Sequence, residues 1–251
     1  MQIMNTQIFL DKCAPFISSE VNFSVTPAPL PVSVPEPRLA VTLSRQTGSG
    51  AAIVAEKLAA YLQSRAPTSP ELWRVFDRNL IHKVLEDHHW PARYARFVPE
   101  DRTSEFADFM EEMLGAHPPS GKLVQQTAET VLELAREGNV ILVGRAANLI
   151  TRGLPHVFHV RLVASLENRV KRFREGQSIP ERTAHRLILE EDRGRKRYVR
   201  KYFAEDLDNP LLYDLVLNTD PCTYDEAAQV IGEAVLKRFW ERARARRRSS
   251  P

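Results

Sequence analysis

Residues 39–50 read Leu39-Ala-Val-Thr-Leu-Ser-Arg-Gln-Thr-Gly-Ser-Gly50, and Ala51-Ala-Ile-Val-Ala-Glu-Lys-Leu58 follows directly. An apolar strand, a glycine turn and an amphipathic helix, in that order, constrain the fold more than any other stretch. Such a unit opens a βα repeat, and its helix must bury one face on a sheet. It is also how a phosphate-binding loop is built. Glycines let backbone N–H groups turn inward, and the helix N-terminus adds the positive end of its dipole. Two chemical groups are absent. The common loop G-x-x-x-x-G-K-[ST] sets a lysine on the β/γ-phosphates and a hydroxyl on magnesium. Here Arg45 stands at the first glycine position and Ala51 at the lysine position, with Ala52 or Ile53 at the hydroxyl position.

Downstream the pattern recurs. Residues 72–76 read as a strand ending at Asp77, 140–143 as a fully apolar strand ending in Gly144-Arg145, and 156–163 and 213–218 as two more. Helical spacing covers 51–64, 79–87, 104–114, 123–137, 166–175, 180–202 and 224–246, with Gly138 as a stop signal. Strands alternating with helices predict an α/β fold with a central, mainly parallel sheet. Ligands in such sheets bind at the carboxyl ends of the strands, where Gly48–Gly50, Asp77 and Gly144-Arg145 all fall. Ahead of this domain, residues 1–37 carry Pro27, Pro29, Pro31, Pro35 and Pro37 near their end. They read as a flexible proline-rich arm, or as an extended strap on the domain. Residues 38–241 form the expected domain, and 242–251 a basic C-terminal tail.

The balance of 35 Lys and Arg against 32 Asp and Glu, a net charge of +3, is too small to imply nucleic-acid binding. Cys13 and Cys222 have no metal-ligand spacing, so no metal site is expected and a reducing, cytoplasmic setting fits. The first ten residues lack a positive n-region, and Asp11 and Lys12 cut off their apolar run. No stretch approaches the roughly 18 apolar residues of a membrane helix, so neither a signal peptide nor a membrane partner is expected.

Each candidate residue has a functional and a plain reading. Gly48, Ser49 and Gly50 form a phosphate loop or a tight turn. Arg45 at its start suits bidentate contact with a phosphate. Asp77 lies near a sugar or the acceptor phosphate and Lys83 on that phosphate, or they belong to a strand-end turn and a solvated helix. Arg145, after a buried strand, meets a phosphate or exits to solvent. Asp192-Arg-Gly-Arg-Lys-Arg197 is a solvated helix with an Asp192–Lys196 pair at i,i+4, or a seat for an anion. On it Arg193, Arg197 and Arg200 share one face, and a polyphosphate or RNA would relieve their repulsion. Arg169 and Arg172 read as surface residues.

Taken in order, the loop at 44–50, Phe76-Asp77-Arg78, Gly144-Arg145-Ala-Ala, Asp192-Arg-x-Arg…Tyr198 and Tyr213-Asp-Leu-Val-Leu-Asn-Thr219 resemble the cytidylate kinase-like family. The resemblance implies a three-layer P-loop nucleoside monophosphate kinase fold with a helical lid. It implies transfer of the γ-phosphoryl of ATP to CMP or dCMP, with ATP and Mg2+ as cofactors and small-molecule nucleotides as partners. Gly48, Ser49 and Gly50 would cradle the ATP phosphates, with Arg45 and Arg172 on the ATP side. Asp77, Lys83 and Arg145 would hold the monophosphate. Arg193, Arg195 and Arg197 would close over the transferring group. The chain departs from the enzyme pattern at Ala51, Ile53 and Ala146, which keeps open a non-catalytic nucleotide-binding or regulatory module on the same fold. An RNA-binding protein ranks below both, because residues 193–201 interleave no aromatic but Tyr198, with Tyr202 just beyond.

Overall fold

A computed structural model of the chain describes residues 38–65, 72–77 and 120–249, with side chains undescribed at 120–123 and 240–249. The arm at 1–37, the expected helices at 79–87 and 104–114, and Lys83 lie outside the described residues.

Five strands make the sheet: β1 (Ala40–Arg45), β2 (Arg74–Phe76), β3 (Val140–Val143), β4 (Val157–Val163) and β5 (Leu215–Asn218). Their order is β2-β3-β1-β4-β5 and every pairing is parallel. β1 therefore sits centrally, with Val41 opposite both Ile141 and Phe158. The chain leaves β1 toward one edge of the sheet and returns through β3. It then crosses to the other side of β1 at β4, which places the topological switch beside the end of β1.

Alternation along the strands sorts the core into two layers. Val41, Leu43, Ile141, Val143, Val160 and Leu162 face α1 (Ala51–Arg65) and α6 (Tyr224–Ser249), meeting Val54, Leu58, Leu62, Ile231 and Val235. Ala40, Val140, Leu142 and Val157 face α2 (Ser120–Glu137), meeting Val131, Leu134 and Ala135. Leu43, Leu58 and Leu62 are fully buried, each stabilising the fold by about 1.5–3 kcal/mol. Gly138, at φ 74, ends α2 as its sequence predicts. Gly232 lies against Tyr61 where α1 and α6 pack together.

The short helix α3 (Ala147–Ile150) follows β3. After β4 come α4 (Leu166–Gln177) and α5 (Glu181–Phe203), then a 3-10 turn at Pro210–Leu212. Val170 of α4 packs on Ala184 and Ile188 of α5. Val199, further along α5, packs on Ala146, Leu149 and Leu207. α5 thus spans the carboxyl end of the sheet as the expected helical lid. The backbone of residues 242–249 continues α6. Among the described residues, no helix is long and apolar enough to cross a membrane.

Candidate functional site

The glycine turn leaves β1 stitched to β4. Gln46 N–H donates to the Leu162 carbonyl (3.0 Å), and Ala164 N–H donates to the Gln46 side-chain oxygen (3.0 Å). Ser49 folds the turn back, its N–H (3.2 Å) and Oγ (2.8 Å) both donating to Gln46 O. Gly48 and Gly50 have φ of +82 and +86, where a side chain is strained. Space forbids one as well. A Cβ at Gly48 would lie 2.6 Å from the Arg169 carbonyl oxygen, and one at Gly50 would overlap the Tyr224 ring. α4 and α6 press on the loop and demand glycine. α1 opens at Ala51, so the first-turn N–H groups of Ala51, Ala52 and Ile53 have no acceptor within the helix.

α5 meets the loop from the other side. Thr47 N–H donates to Asp192 Oδ1 (2.9 Å), and Thr47 Oγ1 donates to Glu191 Oε2 (2.8 Å). Arg195 donates through Nη2 to Thr47 Oγ1 and to Asp192 Oδ1 (2.7 Å). Arg169, from α4, donates through Nη1 to Asp192 Oδ2 (2.6 Å) and to Thr47 O (3.1 Å). Burial alone would raise the Asp192 carboxyl. The Thr47 N–H and the Arg195 and Arg169 guanidiniums outweigh it and hold the group below the ordinary carboxylate range.

A third wall comes from α4 and the end of β5. Arg172 donates to Thr219 Oγ1 (3.0 Å) and O (2.7 Å), and its guanidinium lies over the Tyr224 ring. Thr219 Oγ1 in turn donates to Ser49 O (3.1 Å). The walls enclose a cleft of about 300 Å³ lined by Arg45, Gly48, Gly50, Asp77, Arg172 and Arg195, with Ala51 also on its surface. Two of these cations face carboxylates: Arg45 faces Asp77 at 4.0 Å and Arg195 faces Glu191 at 3.6 Å. Beside it, a void of about 20 Å³ is lined by Ser44, Gly144, Asn148 and Arg195. There Arg195 Nε and Asn148 Nδ2 are buried donors with no hydrogen-bond partner among the described residues.

The expected site residues separate in space. Arg45, Gly48, Gly50, Asp77, Arg172 and Arg195 share the cleft, and Ser49 is buried in the loop itself. Arg193 and Arg197 are exposed on α5 and do not line the cleft. Helical geometry explains this, because residue 195 lies about 200° around the helix from 193 and from 197. Arg145 lies two residues beyond the end of β3 and outside the cleft lining. With Gly144 (φ 80) and Ala146 (φ 54), Arg145 (φ 55) makes three successive left-handed residues. Such strain at a non-glycine arginine is stored at functional sites more often than elsewhere.

Two plain readings are corrected. Arg169 is 6 % exposed rather than a surface residue, because its guanidinium ties α4 to the loop. Lys196 pairs with Asp208 (2.5 Å), whereas Asp192 pairs with Arg195 and Arg169. The Lys196 side of α5 faces the segment ahead of β5, where Asp208 also accepts from the buried Arg161 (2.7 Å). Glu191 and Asn148 fall in no motif that could have marked them, and Thr219 closes the Tyr213–Thr219 stretch with no role assigned to it.

The described residues build no seat for Mg2+. The loop offers no hydroxyl at Ala52 or Ile53. Glu191 is held by Thr47 and Arg195, and Asp77 faces Arg45. Among the described residues no three His, Cys, Asp or Glu side chains cluster to hold a metal.

The sequence model of the cytidylate kinase-like family matches residues 40–221. A cytidylate kinase of Methanopyrus kandleri is 32% identical over 173 residues, spanning 63% of this chain and 84% of that protein. A cytidylate kinase of Methanocaldococcus jannaschii is 23% identical over 154 residues, spanning 61% of this chain and 86% of its own length. The crystal structure of an uncharacterized protein from Eubacterium ventriosum is similar in fold. It has a TM-score of 0.59 and 21% identity, over 80% of this chain and 99% of that one.

Proposed function

The chain belongs to the cytidylate kinase-like family, and from that premise we propose that its cleft binds the phosphates of ATP and transfers the γ-phosphoryl group to CMP or dCMP. One observation carries the reading: the glycine loop, its helix N-terminus and the cations Arg45, Arg172 and Arg195 converge on one cleft. Phosphoryl transfer demands positioning and charge neutralisation more than covalent chemistry from the protein. The loop N–H groups and the first turn of α1 bind the phosphates. Arg195 stands in for the lysine that Ala51 replaces. It is docked on the loop at Thr47, so its charge faces the cleft without a closing motion. Arg172 supports the far wall and Arg145 the acceptor side. The acceptor oxygen belongs to a phosphate that is already ionised near pH 7, so no general base is required. The bond from the γ-phosphorus to its bridging oxygen breaks and a bond to the monophosphate oxygen forms, leaving ADP and the nucleoside diphosphate. Mg2+ would be held by the nucleotide's own phosphates, where it would supply charge neutralisation.

A second reading, a nucleotide-binding module without turnover, is favoured by Ala51 and by the absent loop hydroxyl. A coupled ADP-release assay with Mg-ATP against CMP, dCMP, UMP, AMP and GMP separates the two. Turnover with a pyrimidine monophosphate, reduced about 10²–10³-fold in Arg195→Met, supports the kinase. Nucleotide-induced thermal stabilisation without turnover supports the binding module. Neither effect with any nucleotide refutes both.

A further inference from the structure

Arg195 is held by Asp192, one helical turn before it, which by sequence reads only as half of a solvated i,i+4 pair with Lys196. The Asp192 carboxylate accepts from three elements at once. Its Oδ1 takes the Thr47 N–H (2.9 Å) and Arg195 Nη2 (2.7 Å), and its Oδ2 takes Arg169 Nη1 (2.6 Å). The Asp192 side chain is 17 % exposed and those of Arg195 and Arg169 are 9 % and 8 % exposed. The carboxylate does not line the cleft, while Thr47 and Arg195 do. It therefore stands behind the surface a ligand meets and cannot compete for that ligand. Arg169 completes the clamp by donating to Thr47 O (3.1 Å) and, through Nε, to Ala164 O (3.2 Å). The backbone of Arg169 lies against Gly48.

We propose that Asp192 is a positioning residue that fixes Arg195 and the Thr47 amide relative to each other, so that the cleft presents its cation and its loop N–H groups to a polyphosphate in one arrangement. An arginine on a long, exposed side chain would sample many rotamers. Its guanidinium is planar and pre-organised once one edge is taken by a carboxylate. Here Asp192 and Glu191 take that edge, and the loop is locked to the same carboxylate. The loop amide of Thr47 is thereby removed from the phosphate cradle, which begins at Gly48. This inference rests on the reading of the cleft as a polyphosphate site, though not on the identity of the acceptor.

The test uses the full chain and inorganic tripolyphosphate as the probe, by isothermal titration calorimetry, with the ADP-release assay alongside. Asp192→Asn is expected to weaken tripolyphosphate binding about tenfold. It is expected to lower kcat about 10²-fold with KM for the acceptor nearly unchanged, the cost of a cation misplaced by about 1 Å. Asp192→Glu, which keeps the charge and shifts it, should fall between. Equal or tighter tripolyphosphate binding by Asp192→Asn overturns the proposal while leaving the cleft reading intact. Absence of binding by the unsubstituted chain overturns both. A readout independent of any variant's folding is hydrogen exchange at the Thr47 amide of the unsubstituted chain. Protection like that of the β1 amides is expected, and exchange at the rate of an open loop overturns the clamp.

Discussion

Replacing Gly48 by alanine probes how the loop is made, and its cost is worked from two terms. At φ +82 an L-residue is strained by about 1–2 kcal/mol. The new Cβ would also lie 2.6 Å from Arg169 O and 3.0 Å from Arg169 C and Cα. These are backbone atoms at the start of α4, so no rotamer relieves the overlap and the loop or the helix must shift. Overpacking of this kind costs about 1–3 kcal/mol. Stiffening of the unfolded chain returns about 0.4–1 kcal/mol. The net loss is about 3 kcal/mol, which for a domain of this size lowers Tm by about 6–12 °C. Chemical denaturation with calorimetry measures it. Gly176→Ala is the matched control. Nothing lies within 4 Å of its Cβ, and in the last turn of α4 it should stabilise by about 0.5–1 kcal/mol. A Gly48→Ala loss below about 1 kcal/mol, with tripolyphosphate affinity unchanged, would refute the claim that α4 demands glycine there.

Three further outcomes are expected. Burial depresses the pKa of His159, with Arg238 adding to it and Asp214 opposing, so the folded state resists a proton that the unfolded chain accepts near 6.5. Stability is therefore full above pH 6.5 and falls as pH drops below it, and urea denaturation at pH 7.5 and 5.5 should show a smaller difference in His159→Gln. Arg145→Gly relieves one left-handed residue, so Tm should hold or rise by an amount equivalent to about 1 kcal/mol, while turnover with the monophosphate falls. A drop in Tm would mean that the side chain is structural. Thr219→Val removes a fully buried hydroxyl that bonds Ser49 O and Arg172. It should cost about 1–3 kcal/mol and loosen the cleft wall, read as lower stability together with weaker ATP binding. Unchanged stability would place that hydroxyl outside the loop's support.

Periodicity carried much of the architecture. Residues 140–143 are apolar without interruption because β3 is covered on both faces. That pattern admits a buried parallel strand and little else at this length. The helix expected at 123–137 begins earlier, at Ser120, and that expected at 180–202 runs over Glu181–Phe203, offsets of the size that helix ends always show. The four-residue α3 escaped because one turn offers no period to read. The strand expected at 213–218 begins only at Leu215, since Tyr213 turns its hydroxyl to Leu207 O (2.8 Å) and packs beneath Arg161.

Among the site residues, those marked by backbone chemistry were legible and those marked by partnership were not. Gly48 and Gly50 announce themselves, because positive φ at a strand-to-helix turn is a local demand that only glycine meets cheaply. Arg45 and Asp77 could be placed at the cleft because parallel strands end on one side of the sheet. By contrast, Arg169 read as a surface residue, Asp192 as half of a solvated helix pair, and Thr219 only as the end of a strand stretch. Their roles depend on contacts 122, 145 and 170 residues away along the chain, and no window on the sequence contains both partners. For the same reason the three lid arginines could not be sorted. By itself the sequence determined the βα order, the two-faced core and the glycine loop, since each follows from local sterics and hydrophobic period. Only the tertiary structure decided that Arg195 alone of those three turns inward to the loop. The packing of α5 on α4 and α3 sets the rotation of that helix, and with it which of its charges meets the cleft.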